Sequence, residues 1–78
     1  MHFPSKEQIA ALQRQYPRGT KVELLGMDDP QAPPTGTMGV VMGVDDAGQL
    51  LVRWETGSSL SLIPGVDSFC IAEKGGQS

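Results

Sequence analysis

The sequence predicts a mainly β domain: a small five-stranded barrel preceded by one N-terminal α-helix. Three observations support that expectation. Apolar residues follow a helical spacing only near the start of the chain and alternate with polar ones from Thr20 onward. With 10 glycines and 6 prolines in 78 residues the chain is rich in turns, while 19% charged residues is low for a helical bundle. The turn signals also fall close together, so each strand must be short.

The helix covers about residues 5–15. In Pro4-Ser5-Lys6-Glu7-Gln8 the Ser5 side chain can accept from the Gln8 amide while the Gln8 side chain reaches back, a reciprocal cap. Ile9, Leu12 and Tyr16 then share one narrow face. Pro17 ends the helix because its ring disfavours helical geometry at Tyr16. About three turns with so thin a stripe are not stable alone, so the helix must dock, and the expected place is one open end of the barrel.

After the Arg18-Gly19 turn, Val22 and Leu24 face one side of a first strand, with Lys21 and Glu23 on the other. The second strand, residues 38–44, is apolar on both faces, and Gly39 and Gly43 allow bending or close backbone approach. Asp45-Asp46-Ala47-Gly48 is a tight hairpin turn with glycine where positive φ is needed. In the third strand Leu50, Val52 and Trp54 face inward, with Leu51, Arg53 and Glu55 opposite. Residues 55–58 turn the chain again, and Leu60 and Leu62 form the inward side of a fourth strand. Pro64-Gly65 breaks the pattern with one helical turn, and residues 68–72 make the fifth strand. Residues 74–78 lack apolar periodicity and read as a disordered tail, leaving residues 1–73 as the single domain. A long first loop, two tight turns and a helical turn before the last strand are the order of an SH3-like barrel, whose closure removes exposed edges.

The segments FPSKE (3–7), YPRGTKVELLGMDDPQAPPTGTMGVV (16–41), VRWETGSSLSL (52–62) and GVDSF (65–69) resemble domain-of-unknown-function family 4314. The likeness runs over residues 3–71 and implies a short protein or domain from bacteria, phages or mobile elements; it brings no activity with it. A looser likeness to KOW and Tudor-type barrels, through residues 36–44 followed by 50–54, transfers shape alone.

Composition excludes several functions. So short a chain buries only about 60% of its unfolded surface, which permits a shallow groove and not a deep cleft. The net charge of −3 is uneven. Residues 1–22 carry Lys6, Arg14, Arg18 and Lys21 against Glu7, a sum of +3, and the rest carries Arg53 and Lys74 against eight acids, a sum of −6. An acidic body disfavours phosphate neutralisation, so nucleic acid is the second choice of partner, through Lys6, Arg14, Arg18 and Lys21. The single Cys70 cannot close an internal disulfide, and neither a signal peptide nor a membrane span is evident; the expected location is the cytoplasm.

Chemistry-bearing motifs are sparse, and the expectation is a protein that is not an enzyme and uses no metal or cofactor. Asp28-Asp29 and Asp45-Asp46 are adjacent pairs, unlike the alternating acids of a calcium loop, and turn aspartates more often cap backbone amides. Gly36-Thr37-Met38-Gly39 lacks the helix and Lys-Ser/Thr that a phosphate loop requires; bending a strand accounts for it better. His2 stands at the terminus, Cys70 reads as a small strand hydrophobe, and Ser58, Ser59 and Ser61 have no histidine base nearby.

The 27–37 loop carries the functional expectation. Pro30, Pro33 and Pro34 stiffen it, so it orders at low entropic cost. It reads as a strap over the barrel and, compatibly, as the wall of an acidic groove formed with the 45–48 and 63–67 turns. Asp28, Asp29 and Asp67 would then pair with Lys or Arg of a protein or peptide partner. Tyr16 and Trp54 would supply apolar contact, Trp54 being either core or rim. The chain is expected to be a monomer.

Overall fold

The computed structural model describes residues 4–75. One helix, α1 (Lys6–Gln15), precedes four strands: β1 (Lys21–Gly26), β2 (Met38–Val44), β3 (Leu50–Trp54) and β4 (Ser68–Glu73). The Ser5 cap forms as the sequence predicts. Its Oγ accepts from the Gln8 N–H, and Gln8 Oε1 accepts from the Ser5 N–H at 2.7 Å. No residue of α1 is fully buried, the consequence of its thin apolar stripe. The helix packs against β2 and over the 45–48 turn, where Pro4 and Leu12 lie close to Gly48. Tyr16 at its end meets the Phe69 ring at 5.6 Å between centroids.

The strands form one antiparallel sheet in the order β3-β2-β1-β4. Alternation decides the faces. Val22, Leu24, Val41, Leu50, Val52 and Trp54 point inward and, with Leu62, make the core. Tyr16, Met27, Val44 and Phe69 pack around that core half-buried. The close approach anticipated at Gly39 is real: a Cβ there would stand 2.6 Å from Val52 Cγ1 and 2.7 Å from Trp54 Cε3. The indole therefore crosses the strand where glycine leaves room. Gly48 takes φ 80°, as its turn demands.

The sheet has four strands rather than five and does not close into an SH3-like barrel. The strand that fails is the 59–62 segment, which makes a single bridge: Leu50 and Leu62 donate to each other's carbonyls at 2.8 and 2.9 Å. Leu60 is the reason. Its carbonyl accepts the Trp54 indole N–H at 2.9 Å, and its own N–H faces Ser58 Oγ at 3.4 Å. Backbone groups committed to side chains cannot extend a ladder.

The sheet nevertheless curls. Leu62 lies outside β3 and Ser68 opens β4 at the opposite edge, with five residues between them. Those five are folded into a turn in which the Val66 and Asp67 amides donate to the Ile63 carbonyl. Four strand spacings would separate these edges by about 19 Å in a flat sheet, farther than a folded turn spans. A register irregularity between Val41 and Gly43 bends β2 accordingly. With no barrel mouth to cover, α1 rests on the end of β2 instead. Gly75 donates to Thr20 Oγ1 at 3.1 Å, so residues 74–75 run against the 19–20 turn. Residues 76–78 of the expected tail, and His2, lie outside the described residues. Among the described residues no helix is long and apolar enough to cross a membrane.

Candidate functional site

The 27–37 loop is built from its own hydrogen bonds. Asp29 Oδ1 accepts from the Gln31 amide at 2.8 Å, and the Asp29 carbonyl accepts from Ala32. The Pro34 carbonyl takes both the amide and the hydroxyl of Thr37. Gly36 and Leu24 then tie the loop back to β1, with Gly36 N–H donating to the Leu24 carbonyl at 2.7 Å. Pro33 is buried, whereas Pro30 and Pro34 are exposed, and Asp28 and Asp29 face solvent. These contacts are those of a strap.

The three segments expected to share one acidic groove do not all meet. Met27 and Asp67 flank one end of the sheet, because Gly26 pairs with Ser68. The 45–48 turn sits at the other end of β2, where Ala47 and Gly48 line a groove of about 520 Å³ with Pro4, Leu12, Ile63 and Pro64. Asp67 is committed to its own turn, its Oδ2 accepting from the Ile63 amide at 2.8 Å. Asp45 likewise accepts from the Ala47 and Gln49 amides. Among the described residues no group of three His, Cys, Asp or Glu side chains is placed to hold a metal ion.

Both aromatic residues assigned to the groove are engaged elsewhere. Trp54 is 1% exposed, with its indole N–H satisfied by Leu60, so it is core and not rim. Tyr16 packs on Phe69. Cys70, expected to act as a small strand hydrophobe, lies in β4 and is exposed.

A different groove, of about 850 Å³, lies over the outer face of the sheet and beside the 57–59 turn. Cross-strand register builds it. Lys21 pairs with Val40 and Val40 with Arg53, so a cation, an apolar side chain and a cation stand in one row. Two strand spacings put the cationic residues about 10 Å apart at their Cα atoms. The neighbouring row holds Glu23 opposite Met38, with Glu55 bonded to Met38 on the far side. Met38 and Val40 therefore form a half-buried apolar floor between charged walls, with Gly57, Ser58 and Ser59 along the rim.

Lys21 is partly neutralised by Glu73, whose Oε1 lies 3.5 Å from its Nζ. Arg53 has no carboxylate within ion-pair range among the described residues. Neither the groove nor Arg53 was singled out by the sequence reading. The available signal was the alternation that turned Arg53 outward opposite Val52 and Trp54. Of the four cations assigned to nucleic acid, only Lys21 reaches this groove. Lys6 lines another, with Ile9, Ala10, Gln13 and Asp46, about 12 Å along the helix axis from the exposed Arg14.

A family model described as Domain of unknown function (DUF4314) matches residues 5–72. No curated protein and no solved structure matches the chain.

Proposed function

Because this chain belongs to the DUF4314 family, whose description carries no activity, we propose from its own geometry that it is a non-catalytic protein-interaction module. The row Lys21–Val40–Arg53 beside Met38 carries the reading. It favours a peptide segment in which a carboxylate stands next to a large apolar side chain. The carboxylate would take the uncommitted Arg53 guanidinium, which offers paired donors in one plane. The apolar side chain would cover Met38 and Val40, and the hydroxyls of Ser58 and Ser59 would serve the peptide backbone.

This keeps the peptide-binding expectation and relocates it. The partner becomes acidic and apolar rather than basic, and the 27–37 loop becomes a strap. The single cysteine fits a protein that works in the cytoplasm.

The test is selection from a random peptide library against the immobilised domain, followed by amide-shift mapping with a selected peptide. Selected peptides should place Asp or Glu beside a large apolar residue. Shifts should centre on Lys21, Met38, Val40, Arg53 and residues 57–59, and Arg53→Glu should abolish binding while leaving the fold intact. Parallel titrations with single-stranded RNA and duplex DNA cover the alternative. Shifts at Lys6, Arg14 and Arg18 that vanish with salt would replace this reading with nucleic-acid binding.

A further inference from the structure

The two edges of the sheet are treated differently. Beyond β3, the edge is occupied at both ends: Trp54 N–H donates to the Ser58 carbonyl and Leu50 exchanges hydrogen bonds with Leu62. Beyond β4, nothing pairs among the described residues, since β4 is last in the order β3-β2-β1-β4. Edge strands are usually blunted by proline, by lysine or by inward charges. Residues 68–72, Ser-Phe-Cys-Ile-Ala, contain none of these, and the one protective irregularity in β4, the bulge at Ala72, lies beyond Phe69–Cys70–Ile71. Ile71 is 41% exposed although its partner Val22 is fully buried on the inner face.

We propose that β4 pairs antiparallel with β4 of a second copy, making a two-fold dimer with one continuous sheet. This goes beyond the groove reading and does not depend on it. The occupant is argued from self-complementarity. Register irregularities fall between Lys21 and Val22 and between Leu24 and Gly26, so the regular stretch of β4 is Phe69–Cys70–Ile71. A two-fold axis through its centre sets Phe69 opposite Ile71 of the second copy, and Ile71 opposite Phe69 of the second copy. Both pairs are apolar and lie on the core side. Cys70 then faces Cys70 of the second copy on the outer side. No like charges oppose one another within the stretch. Just outside it the same axis brings Asp67 towards Glu73 of the second copy, and these acids are each engaged within their own chain, by the Ile63 amide and by Lys21.

A contact of this length buries less than the roughly 1,200 Å² of a stable interface, so the dimer is weak and depends on concentration. Opposed residues of an antiparallel pair have Cα atoms about 4.5–5.5 Å apart in either phase, within the span of a disulfide. Cys70 is thus a reporter of register.

Sedimentation equilibrium of the whole chain, up to millimolar concentration, should show the mass rising from monomer towards twice that value. Mild oxidation should cross-link Cys70 to its copy. Ile71→Lys should remove both the dimer and the cross-link while keeping Cys70 and a folded amide spectrum. Ile71→Thr, which retains strand preference, should weaken the dimer without risk to the fold. A single monomer mass at all concentrations overturns the proposal. So does a dimer that survives Ile71→Lys, or one in which Cys70 does not cross-link. None of these results touches the peptide groove, which is scored by Arg53→Glu.

Discussion

The inner and outer faces of β1, β2 and β3 are drawn from one stretch of backbone and differ in what governs them. Inside, Val22, Val41 and Leu50 are fully buried, and side-chain size is matched to its neighbour, glycine at position 39 lying under the ring of Trp54. Outside, Lys21, Val40 and Arg53 occupy equivalent ladder positions with open space above them. Interior packing fails when a single methylene is misplaced, whereas an exposed side chain can change with little effect on folding. The inner face therefore answers to volume and the outer to charge and partner.

The sharpest way to break that contrast is Gly39→Ala. The added methyl would meet Val52 Cγ1 and Trp54 Cε3, both under 3 Å and both on buried side chains. Neither can retreat through the core, so the variant should lose about 3 kcal/mol, the upper end for overpacking. Urea unfolding measures it. A loss below about 1 kcal/mol would mean that the indole moves freely and the inner face is not size-matched.

Trp54→Phe probes a buried polar atom of the inner face and comes second. It removes the donor that satisfies the Leu60 carbonyl at 2.9 Å and part of a buried ring. The expected loss is about 2 kcal/mol. The same variant sharpens the account of the missing strand at residues 59–62. With the indole donor gone, the Leu60 carbonyl is released from its competing partner, and amide exchange over residues 59–62 should report any gain in pairing with β3. If the segment stays unpaired, the indole is not what interrupts the ladder.

These variants also mark what was legible in the sequence. Period-2 alternation is a local property, so the inward set Val22, Leu24, Leu50, Val52 and Trp54 could be read directly, as could the Ser5–Gln8 cap and the positive φ at Gly48. The expected fourth strand fails although Leu60 and Leu62 alternate correctly, because the group that captures the Leu60 carbonyl sits six residues away on another strand's core face. Barrel closure fell with it. The acidic groove failed for a related reason. Exposed turn aspartates look available in sequence, yet Asp29, Asp45 and Asp67 each spend a carboxylate oxygen on an amide of their own turn. Arg53 was visible as an outward residue. Its neighbours across the sheet, Val40 and Lys21, depend on register that alternation alone does not supply.

The smallest effect is expected at Gly43, four residues from Gly39 in the same strand, where the irregular register marks the point at which the two faces stop alternating cleanly. A Cβ at Gly43 meets nothing within 4 Å, and its φ lies outside the positive range that would penalise a side chain. Gly43→Ala should therefore restrict the unfolded chain without straining the folded one, raising stability by about 0.5 kcal/mol. The sign matters more than the size, because Gly39→Ala makes the same chemical change with the opposite outcome. A clear loss at Gly43, read in the same urea titration, would show that the irregularity in β2 needs glycine for its backbone shape. The bend, and not only the inner face, would then be under tight steric control.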